Sequence, residues 1–315
     1  MDTNLLEIGG AAEERKMKAS DYAGPTARWC PGCGDFSILA TTRRLLEAEQ
    51  LMPEKTVFVS GIGCSSRFPH YLKTYGFHGI HGRALPLALG VKLRRPDLNV
   101  FVVMGDGDCT SIGAGHWIHA LRYNAKMTVL LLDNNIYGLT KKQSSPTTPI
   151  NYVSNTQPQG SYLEPLHPIS VALGVANASF VAQTADWIPA HLLATMRLAQ
   201  QHKGLSFIRI LQRCPKWTPD IMDAKVKKPD EIQVLVHEDG IRDPKVEKMY
   251  KHCLEHDPSN IDRARELTGP SEFTRIGLFY RNENLGVYDE IRRSQSFTAE
   301  EKLSALEQEF DRYAI

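Results

Sequence analysis

The stretch VVMGDGDCTSIGAG, residues 102–115, and the stretch VLLLDNNIYGLT, residues 129–140, decide the fold of this chain. In each of them an apolar strand ends in polar residues. Between Gly107 and Asn134 lie 26 residues, which is enough for a helix and its turns. A right-handed crossover of that length places the second strand parallel to the first. The carboxyl ends of the two strands are therefore expected to meet at one edge of a sheet.

That edge predicts a site for Mg²⁺ and a diphosphate. Neighbouring strands lie about 5 Å apart, which brings the Asp106 carboxylate and the Asn134 amide oxygen within reach of one ion. Hard oxygen ligands, only one of them charged, suit Mg²⁺ bound together with phosphates. The glycines beside Asp106 let the backbone approach a diphosphate, and the helix that begins near Thr110 and Ser111 directs its amides at the same anion. The alternative is that GDGD is a plain turn and DNN a polar strand end.

Other apolar runs of strand length alternate with amphipathic runs of helix length, a pattern typical of a parallel sheet with helices on both faces. The predicted fold class is therefore α/β. The predicted strands are residues 56–60, 99–104, 127–132, 178–182 and 205–211, and the predicted helices are residues 35–49, 84–93, 111–123 and 186–201. The segment between Asn134 and Pro168 is rich in Pro, Thr, Ser and Gln, which predicts a binding loop.

The composition changes after Pro219, which predicts a division into two parts. Residues 1–219 are expected to form the sheet domain. In residues 220–315 charge dominates and strand signals become sparse, so we expect a C-terminal extension that contacts a partner subunit. Within it the stretch TAEEKLSALEQEF, residues 298–310, predicts one exposed helix.

The composition of the whole chain limits its partners. Its 315 residues are 42% hydrophobic, and 37 Lys and Arg residues balance 36 Asp and Glu residues. No excess charge exists to attract nucleic acid or an anionic membrane surface. The first 20 residues lack the basic flank and apolar stretch of a signal peptide, and no apolar run is long enough to span a bilayer. We therefore expect a cytoplasmic protein that binds neither nucleic acid nor membrane.

The cysteines are the second chemical signal. The stretch RWCPGCGDFS, residues 28–37, holds a CxxC pair, and six cysteines are unlikely disulfide partners in a reducing compartment. The pair Cys30 and Cys33 is therefore interpreted as metal ligands. A structural zinc site is one alternative, although no second close pair of Cys or His completes it. Cys109, just after GDGD, and Cys253, in the charged extension, are interpreted as ordinary cysteines.

These motifs carry a family resemblance. GDG followed by about two dozen residues and NN is similar to the motif by which thiamine-diphosphate enzymes hold Mg²⁺ and the diphosphate. Together with WCPGCG, GIGCSS, HGRALPLALGVK and YGLTKKQSSPTTP, the chain resembles the β subunit of the 2-oxoacid:ferredoxin oxidoreductases. The resemblance covers roughly residues 29–215. One departure is Lys142, where family members commonly carry glycine.

The resemblance implies a set of site residues. It implies Mg²⁺ ligands at the side chains of Asp106 and Asn134 and at the carbonyl of Ile136. The residues that it implies as contacts of thiamine diphosphate are Ile62, Gly63, Cys64, Ser65, Gly107, Asp108, Gly138 and Leu139. It further implies that a [4Fe-4S] cluster is held by Cys30, Cys33, Cys64 and Cys214. The proline after Cys214 is a feature of ferredoxin-type ligand runs.

The resemblance also implies a reaction and partners. It implies coenzyme A-dependent oxidative decarboxylation of a 2-oxoacid, or its reverse, with electrons passing through the cluster to ferredoxin. A larger α subunit would supply the domain that binds the aminopyrimidine ring. We expect the 2-oxoglutarate type, because Arg67 could bind a distal carboxylate while Lys141 binds the 2-oxoacid end. The alternatives are a pyruvate or broad 2-oxoacid specificity, and a metal-stabilised electron-transfer or binding module without thiamine chemistry.

Overall fold

The computed structural model describes residues 16–291 and 297–313. Most of the first 20 residues, for which no signal peptide is expected, lie outside the described residues. Among the residues that are described, no helix is both long enough and apolar enough to cross a bilayer.

One nine-stranded sheet organises the described chain, with the strand order β2-β1-β3-β4-β6-β5-β9-β7-β8. The strands are β1 Thr56–Ser60, β2 Tyr75–His78, β3 Asn99–Gly105, β4 Thr128–Asp133, β5 Phe180–Ala185, β6 Ser206–Leu211, β7 Ile232–Val236, β8 His252–Glu255 and β9 Thr274–Arg281. All neighbouring pairs are parallel except β5 with β9. The predicted α/β class with a mostly parallel sheet is confirmed.

Helices cover both faces of this sheet, as predicted. They are α1 Gly34–Ala48, α2 Ala84–Arg94, α3 Ala114–Tyr123, α4 Pro168–Gly174, α5 Pro189–Gln201, α6 Met222–Val226, α7 Pro244–Met249, α8 Ile261–Glu266, α9 Tyr288–Ile291 and α10 Ala299–Arg312. One apolar core packs α2, α3, α4 and α8 on one face of the sheet, with Trp117 and Phe207 near its centre. A second core packs α1 and α5 on the opposite face.

The pairing of β3 with β4 positions the functional edge of the sheet. The two strands are parallel neighbours, with Gly105 opposite Leu132, so Asp106 and Asn134 follow adjacent strand ends. A π-helical turn, Asp108–Ile112, comes between β3 and α3 where the sequence predicted continuous helix from residue 111. The described residues 134–167 contain no helix and no strand, which agrees with the predicted loop.

The C-terminal part differs from its prediction. Strand signals were expected to be sparse after Pro219, yet β7, β8 and β9 extend the same sheet. β7 and β8 span only five and four residues, whereas β9, with eight residues, is the longest strand of the sheet. Antiparallel pairing of β9 with β5 fixes this segment to the core, while the division at residues 219 and 220 stays a prediction. The exposed helix predicted at residues 298–310 is α10, which has no buried residue.

Candidate functional site at the carboxyl edge of the sheet

An open cavity of about 670 Å³ lies where β1, β3 and β4 end. Its lining includes all eight residues that were predicted to contact the cofactor: Ile62, Gly63, Cys64, Ser65, Gly107, Asp108, Gly138 and Leu139. The predicted ion ligands Asp106 and Asn134 line it too, whereas Ile136 is buried behind it. The folded chain therefore brings residues from three separate sequence motifs to one cavity.

Asp106 carries the buried negative charge of this cavity. Its carboxylate accepts hydrogen bonds from the hydroxyl of Ser145 and, at 2.7 Å, from that of Thr147. Burial and, to a smaller extent, the nearby Asp133 carboxylate raise the pKa of Asp106 to about 7. A cation beside Asp106 would oppose this shift, so the donor set fits Mg²⁺. Sequence analysis missed both hydroxyl residues, because the loop that carries them has no periodic pattern.

The second predicted ion ligand, Asn134, is fixed by its own backbone neighbours. Its Oδ1 accepts a hydrogen bond from the Ile136 amide at 3.2 Å, and its carbonyl accepts one from the Thr218 hydroxyl at 3.0 Å. The side chain is buried. This turn also brings the Ile136 backbone close to Asn134, so the two residues could serve one ion together.

Gly107 is required for the close approach of Tyr137. A Cβ at position 107 would lie 2.1 Å from a ring carbon of Tyr137. The Tyr137 hydroxyl donates to the Gly107 carbonyl at 3.1 Å. Tyr137 lines the cavity, and sequence analysis did not assign it a role.

Asp108 holds two loops of the cavity together. Its Oδ1 accepts hydrogen bonds from the amides of Gly82, at 2.7 Å, and Ile62, at 3.3 Å, and lies 2.7 Å from His81 Nδ1. This carboxylate therefore faces the loops after β1 and β2 rather than an ion at Asp106. His81 lines the cavity, whereas Arg83 donates to the carbonyls of Gly82 and Ile112.

The four cysteines of the predicted cluster lie together beside the cavity. A negative charge on Cys214 raises the pKa of both Cys33 and Cys64, and one on Cys30 raises the pKa of both Cys64 and Cys214. The four thiols are therefore near enough to interact electrostatically. The surrounding loops are joined by hydrogen bonds from Trp29 Nε1 to the Cys64 carbonyl, at 2.7 Å, and from the Gly34 amide to the Arg213 carbonyl, at 3.0 Å. Gln212, which sequence analysis missed, donates to Cys33 Sγ at 3.3 Å.

The environment of these thiols disfavours free thiolates. Burial and, to a smaller extent, the buried Asp35 carboxylate raise the pKa of Cys64 to about 12 and that of Cys33 well above its usual range. Positive charge from bound iron would reverse this effect, so the donor set fits a thiolate-bound cluster. Within residues 16–291 and 297–313, no three His, Cys, Asp or Glu side chains are close enough to hold a single ion. A four-iron cluster places its thiolates farther apart than one ion does.

The two remaining cysteines lie outside this group. Cys109 belongs to the π-helical turn and is fully buried against the apolar core. Cys253 is exposed and belongs to β8, in the part of the chain where few strands were expected.

Neither predicted substrate residue lines the cavity. The Arg67 guanidinium donates to the Arg28 carbonyl at 3.0 Å and lies 5.7 Å from the centre of the Tyr71 ring. Lys141 is exposed, and its amide donates to the Gly138 carbonyl at 3.1 Å. Each residue thus adjoins a cavity residue, Cys64 for Arg67 and Gly138 for Lys141. Their predicted roles in binding substrate stay predictions.

The fold and this edge define a class of protein. The family model described as "Thiamine pyrophosphate enzyme, C-terminal TPP binding domain" matches residues 61–210. That range begins at the loop after β1 and ends within β6, so it includes every residue that lines the cavity except Gln212. The chain therefore contains a thiamine-diphosphate-binding domain.

Relatives narrow the class to one family. A 2-oxoacid:ferredoxin oxidoreductase subunit beta of Saccharolobus solfataricus is 36% identical over 277 residues, which cover 85% of this chain and 87% of that one. The 2-oxoglutarate oxidoreductase subunit KorB of Mycobacterium tuberculosis is 48% identical over 228 residues, which cover 72% of this chain and 61% of the relative. The solved 2-oxoglutarate:ferredoxin oxidoreductase from Magnetococcus marinus, with 2-oxoglutarate, coenzyme A and succinyl-CoA bound, superposes with a TM-score of 0.79. It is 33% identical, with 92% of this chain and 96% of that chain covered. The chain belongs to the β subunits of the 2-oxoacid:ferredoxin oxidoreductases, as its motifs predicted.

We expect the substitution Gly107→Ala to lower the affinity for thiamine diphosphate with Mg²⁺. The new methyl group would overlap the Tyr137 ring and displace the turn that follows Asp106. Calorimetric titration should show a cofactor affinity at least about tenfold lower than that of the wild type. A methyl group 2.1 Å from a ring carbon lies far inside van der Waals contact, so the turn must move. Gly115→Ala is the matched control, since a Cβ there meets nothing within 4 Å. Unchanged cofactor affinity in Gly107→Ala would contradict this account of the turn.

Proposed function

We propose that this chain is the β subunit of a 2-oxoglutarate:ferredoxin oxidoreductase. The reaction converts 2-oxoglutarate and coenzyme A to succinyl-CoA and CO₂ and passes two electrons, one at a time, to ferredoxin. The reverse carboxylation uses the same groups. The observation that carries the proposal is the position of Cys64, which lines the cofactor cavity and also belongs to the four-cysteine group. An electron donor and an electron acceptor would therefore be neighbours.

The cavity residues would divide the binding of the cofactor among them. Asp106, Asn134 and the Ile136 carbonyl would hold Mg²⁺, and the backbone at Gly107 and Asp108 would receive the diphosphate. Thiamine diphosphate, when bound, supplies the carbanion that attacks the 2-oxo group and the electron sink for loss of CO₂. The chain itself keeps Asp106 buried and fixes the loop at Ile62 through the Asp108 carboxylate.

An α subunit would complete the site. The predicted aminopyrimidine-binding domain is not part of the sheet described here, so this chain would supply one wall of the active site. Apolar side chains are exposed beside the cavity, with exposed fractions of 73% at Ile80, 52% at Ile112 and 48% at Leu139. A partner that covered this rim would bury them. Exposed Leu303, Leu306 and Phe310 on α10 would add a second contact in the C-terminal segment. The cytoplasmic location stays a prediction.

The first test of this function is reconstitution. The chain assembled with its α subunit, thiamine diphosphate, Mg²⁺ and cluster should reduce ferredoxin, or a viologen dye, when given 2-oxoglutarate and coenzyme A. The chain alone should give no turnover, because it has only one wall of the site. Full activity of the isolated chain, or an assembled enzyme that accepts no 2-oxoacid, would refute the proposal.

The substrate class is tested by replacing the two cations. If Arg67 binds the distal carboxylate, Arg67→Ala should lower the ratio of kcat/KM for 2-oxoglutarate over pyruvate at least about tenfold, since charge-assisted pairs contribute strongly. Lys141→Ala should lower kcat/KM for both substrates and leave the ratio unchanged. The exposed Arg44 of α1 provides the control Arg44→Ala. An unchanged ratio in Arg67→Ala, or a wild-type preference for pyruvate, would reject the assignment.

We infer that the four grouped cysteines hold a [4Fe-4S] cluster. Cys214→Ser should lose the cluster or alter its paramagnetic resonance signal, whereas Cys109→Ser and Cys253→Ser should retain iron and sulfide at the wild-type ratio. The two controls match the change in chemistry but lie outside the group. The proteins are purified without oxygen before iron, sulfide and the reduced-state spectrum are measured. An intact four-iron signal in Cys214→Ser, or stoichiometric zinc in the wild type, would rule the cluster out.

A further inference from the structure

A second, larger cavity of about 1080 Å³ lies on the other side of the sheet edge. It is bounded by the ends of β5 and β6 and by the C-terminal segment, chiefly α6 and the turn before β9. No lining residue is shared with the cofactor cavity. The site described above and the proposed function give this cavity no role.

The charge of this second cavity is positive. Arg209, Lys225 and Arg275 line it, and no carboxylate does. The charge of Arg209 is already neutralised, since its guanidinium forms an ion pair of 2.6 Å with the buried Asp133 carboxylate. Within residues 16–291 and 297–313, Lys225 and Arg275 form no ion pair, so the cavity keeps the charge of both.

Neutral groups hold the two free cations in place. Lys225 Nζ donates to the Thr274 hydroxyl at 2.7 Å. Arg275 donates through Nε to Gln233 at 2.9 Å and through Nη1 to the Leu267 carbonyl at 2.6 Å, which leaves Nη2 for another acceptor. Burial lowers the pKa of both residues, and at Lys225 the Glu231 carboxylate opposes this effect without forming an ion pair with the lysine. A bound anion would supply a closer counter-charge.

The remaining walls indicate what kind of anion fits. Hydroxyl-bearing Thr268 and Ser271 lie on the turn before β9, and apolar walls come from Met222, Phe273 and Phe279. We propose that this cavity binds a small organic phosphate, with its dianion between Lys225 and Arg275 and its organic part against the apolar walls. Two cations match a dianion, and several terminal oxygens let one phosphate contact both.

Binding is tested on the assembled enzyme saturated with thiamine diphosphate and Mg²⁺, so that the diphosphate site is filled. Calorimetry with inorganic phosphate and with adenosine monophosphate should show one saturable site per chain, tighter for the monophosphate ester. The double variant Lys225→Gln with Arg275→Gln should weaken both at least about tenfold, because each lost cation removes a charge-assisted contact. The matched double variant Lys227→Gln with Lys248→Gln removes two exposed charges outside the cavity and should bind as the wild type does.

A measurement on the wild type covers the case in which the double variant does not fold. Adenosine monophosphate should protect the amides of residues 222–226 and 267–275 from hydrogen exchange and leave residues 61–65 unchanged. Absence of saturable binding, an equal loss in the control variant, or protection confined to residues 61–65 would each overturn the proposal. Binding of malonate as tightly as phosphate would overturn the assignment to phosphates.

Discussion

Two carboxylates, Asp106 and Asp133, are buried near each other where β3 and β4 end, and the surrounding structure depends on stabilising them. Burying a charge is unfavourable unless it is paired or fully hydrogen-bonded. Asp133 has a full counter-charge in Arg209 of β6. Asp106 forms no ion pair with any described residue, and its carboxylate accepts hydrogen bonds from the hydroxyl groups of Ser145 and Thr147. The edge therefore lacks a counter-charge at Asp106, the position at which Mg²⁺ is proposed to bind.

The same carboxylates order the long loop between β4 and α4. The Thr147 hydroxyl lies within hydrogen-bond distance of both, 2.7 Å from Asp106 and 2.9 Å from Asp133, so its one proton can serve only one of them at a time. Thr148 adds a bond to the Asn135 carbonyl at 2.6 Å. With this end of the loop fixed, Lys141 and Lys142 adopt φ angles of +74° and +73°. Such angles favour glycine and cost a lysine about 1–2 kcal/mol. A glycine at position 142 would adopt this conformation at lower cost.

The sequence predicted those parts of the fold that depend on apolar periodicity and on the spacing between motifs. The alternation of apolar runs placed β1, β3, β4, β5 and β6 within a few residues, and the spacing from Gly107 to Asn134 identified two adjacent parallel strands. It failed where the determinants are tertiary. Ser145 and Thr147 are recognised only after the loop folds back onto Asp106, and β7 and β8 are short strands that join the sheet only through β9, which pairs with β5. The role of Asp108 was also hidden, because its partners at Ile62 and Gly82 come from two distant loops.

The cofactor cavity and the cysteine group meet at Gly138. A Cβ at this position would lie 3.6 Å from Cys64 Sγ and 3.8 Å from Asn134 Nδ2. Gly138 therefore lies between the predicted ion ligand Asn134 and the thiol of Cys64. Any larger side chain would have to extend into the cavity or against Cys64. The Asp108 carboxylate accepts hydrogen bonds from the amides of Ile62, two residues before Cys64, and Gly82. It therefore fixes the loop that carries Cys64. The short separation follows from three elements, the β1 loop, the β4 end and the π-helical turn, that converge only because their strands are parallel neighbours.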